Sequence, residues 1–159
     1  MNVIFLDIDG VLNNQNYAIW LHDKMHVTTG VYRVFDPKSV QCLNEIMSKV
    51  DAKIVISSCW RVLHPYKELG VILEKQGLKN GSELVIGQTP RSNASWVRGD
   101  EIQYWMEKSE EKIDHFVIID DGADMAHLLE FLVQTTWDEG LKEEHIQPIL
   151  DTLKMENWT

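Results

Sequence analysis

Five short apolar runs punctuate the chain: residues 3–6 (VIFL), 54–56 (IVI), 84–86 (LVI), 116–119 (FVII) and 131–133 (FLV). None alternates with polar residues, which suits strands buried on both faces, the habit of parallel sheets. Between the runs the apolar spacing becomes helical. Asp36 is placed to cap a helix with Pro37 at its first position. At about 100° per residue, Val40, Leu43, Ile46, Met47 and Val50 then share an arc of about 120°. Pro65 predicts the start of a second helix running to about Gln76. Ile102, Trp105 and Met106 mark a third, residues 123–130 a fourth, and Ile146, Ile149, Leu150 and Leu153 a fifth. Strand and helix alternate throughout, which predicts an α/β fold: a parallel sheet of about five strands with helices on both faces.

Three of the runs stop at polar pairs. Asp7 and Asp9 follow the first, Ser57 and Ser58 the second, and Asp120 and Asp121 the fourth. Singly, each pair has an ordinary explanation as a polar loop, a cap or a turn before glycine. In a parallel sheet, however, all three gather at the carboxyl edge, where ligands bind. Two carboxylates about 4 Å apart repel by roughly 4 kcal/mol at an effective dielectric near 20, so such a cluster calls for a cation or for protons. Oxygen-only ligation suits Mg²⁺, which keeps open positions for water and for phosphate oxygens. Asp7 and Asp9, two apart on extended chain, lean to the same side. One can then attack phosphorus while the other handles the proton of the departing oxygen and later of water. Gly10 allows the tight turn that brings backbone N–H groups toward phosphate.

Bulk composition narrows the field further. A chain of 159 residues, 44% apolar and 25% charged, is expected to form one domain over residues 1–159. No apolar stretch approaches the roughly 20 residues of a membrane span, and no basic segment precedes the first run, so neither a membrane protein nor a signal peptide is expected and the predicted location is cytoplasmic. The net charge of −10 is unevenly spread. Residues 1–99 carry eleven Lys or Arg against nine Asp or Glu, net +2, whereas residues 100–159 carry four against sixteen, net −12. A polyanionic partner is therefore compatible with the first part of the chain. Cys42 and Cys59 have no disulfide or metal-ligand spacing and are expected to be buried thiols.

The segments FLDIDGV, IVISS, RGDEI and VIIDDGAD, in that order, resemble the four motifs of the haloacid dehalogenase (HAD) superfamily of phosphotransferases. The strings ISSCWR, RGDEIQYW, VIIDDGADM and VQTTWDEGL are further similar to a small HAD group of phages and bacteria associated with RNA repair. The resemblance implies a Rossmann-like three-layer sandwich. It implies Asp7 as a nucleophile forming an aspartyl-phosphate, and Asp9 as general acid and base whose carbonyl also binds Mg²⁺. Ser57, or alternatively Ser58, would contact the transferring phosphoryl group. Asp121 would ligate the metal directly and Asp120 directly or through water, with Asp124 a further candidate. Arg98 stands where the family usually has Lys, a departure, since guanidinium offers a bidentate fork rather than a point charge.

Other residues are read by position. Trp105 is expected in the core; Trp60 and Arg61, just past the serines, either pack or touch substrate by stacking on a base. His22, His26 and His64 lack metal-ligand spacing and read as loop residues. No full cap domain fits: residues 11–35 form a short insertion, and 61–97 are used by a helix, a strand and a loop. Lys24, Arg33, Arg61, Lys67 and Arg91 would supply a modest basic rim. The function expected is a Mg²⁺-dependent phosphomonoester hydrolase for a phosphorylated small molecule or nucleic-acid end, such as a nucleotide or a polynucleotide 3′ end. A catalytically weak HAD-fold binding module in nucleic-acid repair and a phosphotransferase to an acceptor other than water are the alternatives.

Overall fold

The computed structural model describes residues 1–91 and 95–155. The five apolar runs become strands β1 (Asn2–Leu6), β2 (Ala52–Ile56), β3 (Val85–Gln88), β4 (His115–Asp120) and β5 (Leu132–Gln134). All pairs are parallel, in the order β3-β2-β1-β4-β5. β1 is central: Leu6 lies in register with Ile56 on one side and Ile119 on the other. Its side chains alternate between two cores. Ile4 and Leu6 pack with the apolar stripes of α2 (Pro37–Lys49), α3 (Tyr66–Lys75) and α6 (Ile146–Thr152). Val3 and Phe5 face α5 (Arg98–Lys108) and the 3-10 turn Ala126–Phe131. Both faces are thus covered, which is why the runs read as continuously apolar.

Helix α2 begins as the spacing predicts, with the Asp36 carboxylate accepting from the Lys38 N–H at 3.0 Å and Pro37 in the first turn. Residues 11–35 hold a helix that the apolar pattern does not announce, α1 (Gln15–Met25), because only Ala18 and Leu21 are buried while Ile19 and Trp20 are exposed. Its start is fixed by Asn14, whose side chain accepts from the Tyr17 N–H at 2.7 Å. A 3-10 turn, Val31–Arg33, completes the insertion, and among the described residues no cap domain is evident.

Three expectations are corrected. The fourth helix, expected over 123–130, is instead the 3-10 turn Ala126–Phe131, because Ala126 takes a left-handed φ of 51° that an α-helix cannot contain. Leu84 ends a short helix, α4 (Gly81–Leu84), rather than opening β3. Cys59 is exposed, although Cys42 is buried. Among the described residues no helix is long and apolar enough to cross a membrane.

From β1 the chain moves outward through β2 to β3, then returns to place β4 on the other side of β1. The crevice at the carboxyl ends of β1 and β4 is therefore the topological switch point, where α/β sheets bind ligands.

Candidate active site

Past the end of each paired strand the ladder runs on by one residue. The N–H groups of Asp7, Ser57, Thr89 and Thr135 donate to the carbonyls of Ile119, Leu6, Ile56 and Asp120 at 2.9 to 3.0 Å. Extending the register puts Thr89, Ser57, Asp7 and Asp120 in one row across the sheet. The alternation that sends Val3, Phe5, Val55 and Ile118 toward α5 sends this row the same way. Thr89 and Thr135 escape sequence reading, since one Thr after a short strand is not a motif.

Asp7, Asp120 and Asp121 bring carboxylate oxygens within 4.8 Å of one another. Arg98, in the first turn of α5, faces them: its Nη1 lies 3.9 Å from Asp7 Oδ1 and 3.7 Å from Asp120 Oδ2. One guanidinium does not balance three acids. Burial, then the neighbouring charge of Asp120, holds the Asp7 carboxyl well above its usual range, with Arg98 offsetting only part. Burial likewise pushes Asp120 up to about 6. Among the described residues, the buried side-chain atoms without a hydrogen-bond partner are Ser57 Oγ, Arg61 Nε, Thr89 Oγ1, Arg98 Nη1 and Asp120 Oδ2. All belong to residues on or beside this edge. The carboxylate set, its uncompensated charge and the unpartnered Asp120 oxygen fit a hard divalent cation such as Mg²⁺.

Two glycines set the spacing. Gly10 has φ +77°, and a Cβ there would lie 2.3 Å from Asp121 Oδ2. Its carbonyl accepts from Thr135 Oγ1 at 2.6 Å. Gly99 donates its N–H to the Asp124 carbonyl at 3.1 Å, and a Cβ would come 2.0 Å from the Met125 carbonyl oxygen. Only glycine lets α5 start this close to the turn after β4, and Arg98 is placed by that approach.

The two serines differ. Ser58 Oγ accepts from the Trp60 N–H at 3.2 Å and caps the 3-10 turn Cys59–Val62, whereas Ser57 Oγ has no partner. Arg61 corrects an expectation. It is only 8% exposed, so it belongs neither to a basic rim nor to a base-stacking surface. Its Nη2 pairs with Glu101 Oε2 at 2.6 Å, and Nη1 donates to the Ser58 and Ser57 carbonyls at 2.8 and 3.2 Å. The pair ties the exit of β2 to α5, and Glu101 also lies 3.8 Å from Arg98 Nε. Glu101 was invisible to motif reading; its spacing of three from Arg98 in RGDEI is the only hint. Lys24, Arg33, Lys67 and Arg91 are exposed, as is Asp124.

Asp9 stands apart from the three clustered acids. Its Oδ1 accepts from Asn13 Nδ2 at 2.7 Å and from Trp60 Nε1 at 2.9 Å. Trp60 both packs, against Phe35 and His64 at ring separations of 5.7 and 6.3 Å, and holds an acid. Trp105 meets Phe5 edge-on at 5.6 Å in the core. His22 and His26 are exposed, and His64 pairs with Glu68 at 2.9 Å.

A five-stranded parallel sheet in this order, with acids massed at its switch point, defines a HAD-like α/β domain. The family model of the HAD domain in Swiss Army Knife RNA repair proteins matches residues 3–146, and the chain belongs to that family. Solved structures agree in fold. The crystal structure of the Legionella pneumophila effector Ceg4 is 13% identical with a TM-score of 0.53, over 95% of this chain and 93% of that one. The HAD domain of the Legionella pneumophila effector Lem4 is 15% identical with a TM-score of 0.57 as an inactive mutant, over 96% and 94% of the two chains. A second structure of that domain gives 0.54 at 15% identity, over 96% and 95%. At such identities the likeness is one of fold. The comparison with curated proteins gives no match.

Proposed function

We propose that the protein is a Mg²⁺-dependent phosphomonoesterase working through an aspartyl-phosphate on Asp7. The observation that carries the reading is the meeting of Asp7, Asp120, Asp121 and Arg98 at the switch point with too little positive charge among them. The carboxylates of Asp7, Asp120 and Asp121, with the Asp9 carbonyl, would hold the ion, which when bound supplies the positive charge that keeps Asp7 ionised and offsets the phosphoryl oxygens.

The chain's own groups do the rest. The Asp7 carboxylate attacks phosphorus, and the substrate's ester oxygen leaves with a proton from Asp9. Water then attacks the acyl phosphate, Asp9 takes a proton from it, and phosphate departs from a regenerated Asp7. Ser57 Oγ, free of any internal partner, is the hydroxyl available to donate to phosphoryl oxygens; Ser58 is committed to its turn. Arg98 adds fixed positive charge that strengthens against the transition state.

Kinship with RNA repair domains and the small insertion in place of a cap support a nucleic-acid end, with a 3′-phosphate foremost, or a nucleotide as substrate. The test is phosphate release from mononucleotides, 3′- and 5′-phosphorylated oligonucleotides and phosphopeptides, with Mg²⁺ and with EDTA. Release from 3′-phosphorylated ends that EDTA abolishes is expected. Inertness toward every monoester in Mg²⁺ would instead mark a binding module.

A further inference from the structure

Asp9 carries a pairing that its assigned chemistry does not by itself require. Asn13, 1% exposed, uses its whole carboxamide: Oδ1 accepts from the Gly10 N–H at 2.9 Å, while Nδ2 donates to Asp9 Oδ1 at 2.7 Å and to the Tyr32 carbonyl at 2.6 Å. The backbone N–H can only donate, so it fixes which end of the amide faces Asp9. The second donor to Asp9 Oδ1, Trp60 Nε1 at 2.9 Å, is an indole N–H and has no acceptor role. Two separate stretches of chain converge on one carboxylate oxygen, the turn after β1 through Asn13 and the loop after β2 through Trp60, and the Tyr32 carbonyl steadies the Asn13 amide from behind.

We infer that Asn13 and Trp60 are positioning residues that make Asp9 a one-sided acid, committing Oδ1 as an acceptor and leaving Oδ2 to carry the proton. A free carboxyl group can hold its proton on either oxygen and turn about its Cβ–Cγ bond. With two N–H groups aimed at Oδ1, a proton there would oppose both donors, so it resides on Oδ2. The same two bonds fix the turn of the group, and Oδ2 meets the leaving oxygen first and the attacking water second. The Trp60 ring is held for this by Phe35 and His64.

The inference rests on the proposed role of Asp9, and the experiment separates the two. Trp60→Phe keeps an aromatic ring, though a smaller one, and removes the N–H; Asn13→Ser removes the other donor and leaves the Trp60 ring in place. In each, kcat/KM, which reports through phosphoryl transfer to Asp7, is measured for p-nitrophenyl phosphate and for glycerol 2-phosphate. The first leaving group needs no proton and the second does. Both variants are expected to lose about 10- to 100-fold on the alkyl ester and less than about threefold on the aryl ester, part of the effect of a positioned general acid. Asp9→Asn is expected to show the same contrast more strongly. Equal losses on both esters, or none, in Trp60→Phe and Asn13→Ser beside a clear contrast in Asp9→Asn would overturn the positioning role alone. Absence of contrast in Asp9→Asn would overturn the assignment of Asp9 and the positioning role with it.

Discussion

Asp7 and Asp9 sit two residues apart, yet their surroundings are opposite. Around Asp7 the protein leaves its own polar groups short: Ser57 Oγ, Thr89 Oγ1, Arg98 Nη1 and Asp120 Oδ2 lack partners, and burial raises the Asp7 and Asp120 carboxyls. Around Asp9 partners are better supplied: two N–H groups meet on one oxygen, and the Arg61–Glu101 pair braces the neighbouring loop, with Arg61 Nε alone left over. Unmet hydrogen-bonding capacity inside a protein is costly and is retained where a ligand meets it. The poorly satisfied side is built to receive; the well satisfied side is built to hold still.

The contrast predicts opposite responses to mutation. The largest falls on Asp7→Asn, which removes the nucleophile: turnover of p-nitrophenyl phosphate should drop at least about 10⁴-fold with the circular dichroism unchanged. Activity within tenfold of wild type would remove Asp7 from its role. On the braced side, Arg61→Met should lower stability in urea by about 3 to 5 kcal/mol, since it strands a buried Glu101 and frees two carbonyls. A loss below about 1 kcal/mol would show that the brace carries little. Next, Arg98→Ala should cost about 10²-fold in kcat/KM, with Arg98→Lys recovering part through charge alone.

The remaining effect has the opposite sign. The ordinary carboxylate value of 3.8 rises to about 6 for Asp120 in the folded protein, so the folded state keeps a proton that the unfolded state releases. That stability is present below about pH 4 and is lost as pH climbs through 6, up to about 3 kcal/mol in all. Without Mg²⁺ at pH 8, Asp120→Asn should therefore raise the melting temperature, by about 4 to 10 °C. A fall would mean that the cluster is not under electrostatic strain.

Much of this was legible in the sequence because of how parallel strands are buried. Covered on both faces, they read as unbroken apolar runs, and the polar residue ending each run, such as Asp7 or Ser57, is placed by the ladder itself. What could not be read depends on distance or on dihedral angles. Arg61 and Glu101 meet although they lie 40 positions apart in the chain, so an isolated Arg past a serine pair looks like a surface charge. Which serine stays free follows from the backbone at Ser58, which aims its hydroxyl at the Trp60 N–H. Residues 123–130 have helical composition, but the left-handed Ala126 stops the helix. Asn13 carries no motif at all; its part emerges only when Gly10, Asp9 and Tyr32 are seen around it.

The bare backbone of Gly99, seated against Met125, welds the head of α5 to the bend after β4. That seat sets the distance between Arg98 and the acid that ends β4 before any guest arrives. The Val31–Arg33 turn reaches the site by another route, through the Tyr32 carbonyl that holds Asn13 beside Asp9.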